Sequence, residues 1–99
     1  MKFEYLRQLA PQLSIIARKY GITKIYVFGS VARGDSKPQS DVDFLVEMEA
    51  GASLFGVAGF GYETEKLLGV SVDVVPSSVL PQVRDRDFVV SIQKEAVSL

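Results

Sequence analysis

Three aspartates and one glycine–serine pair carry the chemistry that this sequence can support. Gly29 and Ser30 come first, Asp41 and Asp43 follow after ten further residues, and Asp73 interrupts a later run of β-branched residues. Carboxylates of this kind bind hard divalent cations, whereas a glycine–serine turn offers a hydroxyl group and a backbone amide to a phosphate. The sequence therefore predicts a site at which a bound cation and a phosphate group face each other.

Asp41 and Asp43 lie two residues apart in a predicted strand, so their side chains point to the same face. Two carboxylates held this close repel each other unless a cation lies between them. An Asp-x-Asp pair can also be a solvated strand end without a function. The metal site is favoured here because the other face of the strand is apolar, at Val42, Phe44 and Val46. A carboxylate beside a core is costly without a cation or a hydrogen bond.

Asp73 and Arg33 each leave two interpretations open. Taken alone, Asp73 fits an edge-strand charge that prevents aggregation. The segment between Asp43 and Asp73 is nevertheless long enough to return through a helix, which would place the third strand parallel to the second and bring three carboxylates together. Arg33 follows the glycine–serine turn closely, and it is either a phosphate contact or an ordinary exposed cation.

The elements that must position these residues are predicted in the order helix, strand, turn, strand, helix, strand, helix. Apolar spacings of three and four near the start predict an opening turn and then a helix from Pro11 to Tyr20, because proline suits a first turn but not a helix interior. The predicted strands are Lys24–Phe28, Val42–Glu47 and Val70–Val75. Leu54–Leu68 and a segment after Ser78 are predicted to be helical, which together gives an α/β sandwich.

The predicted helix faces are specific enough to test. The helix predicted at Leu54–Leu68 is expected to have its apolar side at Leu54, Val57, Gly61, Leu67 and Leu68, and the last helix at Phe88, Ile92, Ala96 and Leu99. The glycines at 56, 59 and 61 follow no strand and have the order G-x-x-G-x-G. We therefore interpret them as positions of close packing or helix irregularity, and not as a dinucleotide-binding loop.

The composition excludes several classes of protein and site. The chain has 99 residues, 11 Lys plus Arg, 12 Asp plus Glu, no histidine and no cysteine, which predicts one domain over residues 1–99. An imidazole base, a thiolate nucleophile and a zinc site with Cys or His ligands are therefore excluded. A net charge of −1 argues against direct nucleic-acid binding. With no membrane-length apolar stretch and no signal peptide, we expect a cytoplasmic protein that does not enter membranes.

The pattern Gly29-Ser30, ten residues, Asp41-Val42-Asp43 and a later Asp73 resembles that of the DNA polymerase beta-like nucleotidyltransferase superfamily. The similarity to its minimal nucleotidyltransferase (MNT) branch covers essentially the whole chain, with the clearest motifs at 28–35, 40–46 and 72–75. This resemblance implies a mixed three- to four-stranded sheet with flanking helices on one side, in the order α-β-α-β-α-β-α. It also implies that Mg²⁺ and ATP are ligands.

The same resemblance implies roles for the candidate residues. Asp41 and Asp43 would hold one or two Mg²⁺ ions, and Asp73 would complete the second metal site and accept the proton of the acceptor hydroxyl. Gly29 and Ser30 would hold the terminal phosphates. The remaining nucleotide contact would come from Arg33.

Minimal members of this superfamily are commonly antitoxins paired with a HEPN ribonuclease toxin, and some transfer AMP to a tyrosine of that toxin. By resemblance, the expected function is an ATP- and Mg²⁺-dependent protein adenylyltransferase that acts as an antitoxin, as a homodimer or in a hetero-oligomer with the toxin. Two alternatives stay open. The first is a nucleotide-binding module that neutralises its partner by association without turnover, and the second is nucleotidyl transfer to a small molecule.

Overall fold

The protein is built on a four-stranded mixed sheet in the computed structural model, which describes all 99 residues. The elements are α1 (Phe3–Gln8), α2 (Ala10–Lys19), β1 (Ile22–Phe28), α3 (Gly29–Arg33), β2 (Val42–Met48), α4 (Phe55–Leu68), β3 (Val72–Pro76), a 3-10 helix (Ser77–Gln82), α5 (Arg86–Glu95) and β4 (Val97–Ser98). The strand order is β3-β2-β1-β4, in which β3 is parallel to β2 and the other pairs are antiparallel. The predicted mixed sheet with flanking helices is confirmed.

The N-terminal segment is two helices because of its proline. Leu9 separates α1 from α2, and Pro11 lies in the first turn of α2, where its missing N–H costs nothing. The chain leaves α2 through Gly21, whose φ of +75° lies in the left-handed region that glycine adopts readily. The predicted opening turn and following helix are confirmed in this form.

Helix α4 buries only part of the predicted apolar face. Its buried residues are Phe60, Thr64 and Leu68, whereas Leu54 is 59% exposed. The cause is a close contact with α2, because a Cβ at Gly59 would lie 2.4 Å from the ring of Tyr20. Small residues at this crossing set the rotation of the helix. The predicted apolar face is wrong at Leu54 and Leu67, which are exposed, whereas Leu68 is buried and Val57 and Gly61 are half-buried.

The same crossing decides the role of the α4 glycines. A Cβ at Gly56 would lie 2.6 Å from the backbone oxygen of Tyr20, so Gly56 and Gly59 both allow close packing. At Gly61 a Cβ would make only an ordinary contact, 3.6 Å from Val74. Close packing is therefore confirmed at two of the three positions.

The two faces of the sheet carry separate clusters of buried residues. Helices α1, α2 and α4 cover one face, where eleven buried residues form the larger cluster, including Leu13, Phe44 and Phe60. The other face is covered by the 3-10 helix and α5, through a smaller cluster of Phe28, Leu45, Leu80, Val89 and Ile92. Helices thus lie on both faces, and the implied one-sided arrangement is wrong.

The C-terminal segment also departs from the prediction. Helix α5 starts at an N-cap aspartate, Asp85, whose carboxylate accepts a hydrogen bond of 3.1 Å from the N–H of Phe88. It ends before Ala96, and the chain then pairs with the free edge of β1, where the N–H of Leu99 donates to the carbonyl of Ile25. Ala96 and Leu99 are therefore not helical, because strand pairing competes successfully for this segment. None of the helices combines the length and the hydropathy that a membrane span requires.

Candidate active site

The turn between β1 and α3 is shaped around Asp43. Gly29 is buried and has a φ of +74°, and a Cβ built on it would lie 2.3 Å from Oδ2 of Asp43. A side chain at this position would therefore meet both backbone strain and the carboxylate. Ser30 follows in the first turn of α3, and its carbonyl accepts hydrogen bonds from Gly34 and Asp35 that close this short helix. Glycine at this position therefore allows the backbone of the turn to lie against Asp43.

Strand register places Asp43 and Asp73 side by side, on the face of the sheet opposite the larger cluster of buried residues. Phe28 on β1 is opposite Asp43 on β2, and Asp43 is the neighbour of Asp73 on the parallel strand β3. Neighbouring residues on adjacent strands point to the same face, so Phe28, Asp43 and Asp73 form one row across the sheet. Asp41 is exposed and lies just before β2 begins. The predicted parallel pairing of β3 with β2 is thus confirmed, and it brings Asp43 and Asp73 together, whereas Asp41 stays outside this row.

The environment of Asp43 opposes its ionisation. Burial raises the pKa of this carboxyl to about 6 from an ordinary value of 3.8, and the negative charge of Asp73, a hydrogen bond with Asp73 and the charge of Asp41 act in the same direction. The guanidinium of Arg33 acts against these causes and lowers the pKa. A cation bound between the carboxylates would remove their repulsion, which is the electrostatic signature expected of a metal site without its metal.

All the predicted site residues line one cleft of about 880 Å³. The candidates among its lining residues are Gly29, Ser30, Arg33, Asp41, Asp43 and Asp73. Residues from three strand ends and from α3 therefore meet at one end of the sheet. The cleft brings the phosphate-type turn and the carboxylates into the same space, as the sequence pattern predicts.

Arg33 reaches the cleft but is paired within the protein. Its Nη1 donates to both carboxylate oxygens of Glu95, at 3.1 and 3.3 Å, and its Nε donates to Asp35 at 3.3 Å. The side chain is about half exposed, so these ion pairs are screened by solvent. Nη2 makes no hydrogen bond within the protein and is the free donor of this guanidinium.

Sequence reasoning did not assign a site role to helix α5, which forms another wall of the cleft. Phe88, Ser91 and Glu95 line the cleft from this helix. Their spacing of i, i+3 and i+7 puts them on one side, next to the buried Val89 and Ile92. That spacing is visible in the sequence, but nothing in the sequence shows that this side of α5 faces the aspartates.

The donor set fits a hard divalent cation. Every ligand that the cleft offers near Asp43 and Asp73 is an oxygen atom, which suits Mg²⁺. No three acidic side chains surround a single point. This agrees with the way proteins commonly bind Mg²⁺, through one or two carboxylates together with water and substrate phosphates. Asp43 and Asp73 are the pair that would hold it, with Asp41 at the rim.

The sequence profile described as a nucleotidyltransferase domain matches residues 9–99. The chain belongs to the nucleotidyltransferase domain family. The match contains β1, the Gly29 turn, the three aspartates and α5, so it covers every part of the cleft described above. The family membership implied by the sequence pattern is confirmed.

Named relatives of this nucleotidyltransferase are archaeal. It is 39% identical over 84 residues to MJ0435 of Methanocaldococcus jannaschii, a protein that is named as a protein adenylyltransferase. This match covers 84% of this chain and 86% of the relative. It is 42% identical over 65 residues to protein adenylyltransferase MntA of Thermococcus cleftensis, with 66% of each chain covered.

Solved structures agree with the fold. A minimal nucleotidyltransferase superposes with a TM-score of 0.78 at 34% identity, covering 100% of this chain and 97% of the other. An MNT antitoxin in complex with a tri-AMPylated HEPN toxin of Shewanella oneidensis gives a TM-score of 0.63 at 14% identity, covering 93% of this chain and 69% of the matched chain. The second likeness concerns the fold alone.

Proposed function

We propose that this nucleotidyltransferase transfers AMP from ATP to a hydroxyl group of a partner protein, a tyrosine of a HEPN ribonuclease toxin, and so acts as an antitoxin. The observation that carries the proposal is the row formed by Asp43 and Asp73 beside the Gly29 turn in one cleft. The relatives named for protein adenylyltransferase activity support the choice of a protein acceptor. The toxin complex of a protein with the same fold supports the choice of partner.

The chemistry follows from the charges in the cleft. Bound Mg²⁺ would neutralise charge on the phosphates and on the leaving pyrophosphate. Asp43 and Asp73 would hold the cation, with Asp41 as a further ligand at the rim. In the transfer, the acceptor oxygen forms a bond to the α-phosphorus, the bond from that phosphorus to pyrophosphate breaks, and the hydroxyl proton passes to Asp73.

The phosphate end of ATP belongs at the start of α3. Gly29 has no side chain, so its backbone can lie close to a phosphate, and Ser30 offers that phosphate a hydroxyl group and an amide. Arg33 adds a charge-assisted contact through Nη2, since Nη1 and Nε are held by Glu95 and Asp35. A triphosphate placed there would bring its α-phosphorus towards Asp43 and Asp73.

The test is a transfer reaction with ATP labelled at either the α- or the γ-phosphate. The protein is purified together with the product of its neighbouring gene as the candidate partner, and wild type is compared with Asp43→Asn and with Asp87→Asn. Asp87 is an exposed carboxylate of α5 outside the cleft, so it is the matched control. We expect label on the partner from α-labelled ATP alone, with a loss of at least about 100-fold for Asp43→Asn.

Two results would contradict the proposal. If neither nucleotide labels the partner although a stable complex forms, neutralisation by association is the better explanation for that partner. If Asp43→Asn still protects cells from the toxin as well as wild type does, antitoxin action does not depend on transfer. Label on a small molecule in a cell extract, but not on the partner, would favour nucleotidyl transfer to a small molecule.

A further inference from the structure

An aromatic ring stands at the wall of the active-site cleft without an assigned function. Phe88 lines the cleft, and 42% of it is exposed to solvent. Phe55 and Tyr62 are also exposed, but they lie on α4, away from the carboxylates. Phe88 is therefore the exposed aromatic residue that shares its cleft with Ser30, Asp43 and Asp73.

The ring of Phe88 is held in place relative to the aspartates. It forms a T-shaped pair with Phe28, with 6.5 Å between the ring centroids and 78° between the planes. Phe28 is itself buried and lies directly opposite Asp43 in the strand register. The backbone at Phe88 is fixed by the cap that Asp85 forms at the start of α5. Two contacts, the ring pair with Phe28 and the Asp85 cap, thus orient an exposed ring beside the carboxylate row.

We propose that Phe88 is the residue on which the nucleobase of the bound nucleotide stacks. This inference rests on the proposed nucleotidyltransferase function, and it adds the residue that binds the base. A phenyl ring offers a π-face but no hydrogen-bonding group, so it distinguishes bases by the area of overlap. The site therefore binds purine nucleotides more tightly than pyrimidine nucleotides, and Phe88 itself makes little distinction between adenine and guanine.

The test compares ligands with and without a base. Isothermal titration calorimetry in the presence of Mg²⁺ gives the Kd of ATP and of inorganic tripolyphosphate for wild type, Phe88→Ala, Phe88→Tyr and Val90→Ala. Val90 is 45% exposed on the same helix but does not line the cleft, so it is the matched control. We expect Phe88→Ala to weaken ATP binding about tenfold and to leave tripolyphosphate binding unchanged. Phe88→Tyr and Val90→Ala should bind both ligands as wild type does.

A second measurement on the same proteins examines ring size. Wild type should bind ATP and GTP more tightly than CTP and UTP, and Phe88→Ala should lose most of this difference. Equal weakening of ATP and tripolyphosphate by Phe88→Ala would overturn the proposal, because it would show a structural effect on the whole cleft. An unchanged Kd for ATP would overturn it as well, and a raised KM for the acceptor would then assign the ring to the acceptor.

The binding test and the transfer test fail separately. Binding of ATP needs no acceptor, so loss of the base effect in a protein that still labels its partner would overturn the stacking proposal alone. A base effect in a protein that labels no partner would leave stacking intact and contradict the proposed transfer. If wild type binds neither ATP nor GTP, both proposals are wrong.

Discussion

The two faces of strand β2 have opposite tasks, and alternate residues of the same strand perform them. Val42, Phe44 and Val46 are completely buried under α1, α2 and α4. The other face carries Asp43 at its open end and Leu45 beneath the 3-10 helix and α5. The period of two thus separates a packed face, which stabilises the fold, from a charged face, which forms the cleft. The cleft therefore lies directly on the core, and strands and helices form its walls.

The largest difference between the faces should be in stability. Phe60 is completely buried on the packed face, where it meets Phe44 edge-on at 5.8 Å, so we expect Phe60→Ala to lower the free energy of unfolding by about 3–5 kcal/mol. Phe88→Ala on the cleft side should lower it by less than about 1.5 kcal/mol, because that ring is partly exposed. Urea unfolding followed by circular dichroism measures both. Equal losses would mean that the cleft wall is part of the core.

The next effect concerns activity and compares two glycines with positive φ. Gly29→Ala and Gly34→Ala both introduce a side chain in the left-handed region, which costs about 1–2 kcal/mol of stability. A Cβ at Gly34 meets nothing within 4 Å, whereas one at Gly29 collides with the carboxylate of Asp43. We therefore expect Gly29→Ala to reduce AMP transfer about 100-fold, and Gly34→Ala to change it little. Similar activities for the two variants would show that the position of Asp43 does not depend on this contact.

The third effect is a pH dependence that belongs to the charged face. The raised pKa of Asp43 means that the folded protein binds this proton more tightly than the unfolded chain does. Between the ordinary value of 3.8 and about 6, the folded state therefore holds more protons, and its stability falls as the pH rises. After allowance for solvent screening, this group should lower the free energy of unfolding by about 1–2 kcal/mol over that range.

Comparison with Asp43→Asn isolates the contribution of Asp43 to the free energy of unfolding. This comparison is needed because Glu63 has the opposite effect: hydrogen bonds from Lys19 and then Tyr20 lower its pKa, so its contribution to stability grows as the pH rises. Glu63 is present in both proteins and cancels in the difference. Urea unfolding of wild type and Asp43→Asn in EDTA, at several pH values between about 4 and 7, gives the difference directly. The variant should gain stability relative to wild type as the pH rises. A constant difference would show that folding does not raise the pKa of Asp43.

Much of the site could be predicted because the chemistry and the strand period coincide. The apolar alternation of β2 fixes which residues face inwards, and the same alternation puts Asp43 and Leu45 on the other side. The long segment before Asp73 predicted a parallel return, which the β2–β3 pairing confirms. These features depend on neighbours along the chain, so a single sequence contains them.

The errors occurred where distant segments compete for the same surface. The rotation of α4 depends on Tyr20 filling the space above Gly56 and Gly59, a contact between residues far apart in sequence. The end of α5 depends on the free edge of β1, which draws Val97 and Ser98 into the sheet. Helical periodicity continues through both segments and gives no sign of either partner. The role of α5 in the cleft was missed for the same reason.

The smallest expected effect concerns Arg33, the one cationic side chain that lines the cleft. The Arg33–Glu95 ion pair is partly exposed, so Glu95→Gln should change the free energy of unfolding by less than about 1 kcal/mol. It should also tighten ATP binding about two- to fivefold, because one negative charge leaves the cleft and Arg33 is less neutralised. Glu4→Gln, at an exposed position on α1 without an ion pair, should do neither. The gain should shrink as salt is added, since screening weakens interactions between exposed charges. Weaker ATP binding by Glu95→Gln would instead show that Glu95 orients Arg33 towards the phosphates, which calorimetry at two salt concentrations would reveal.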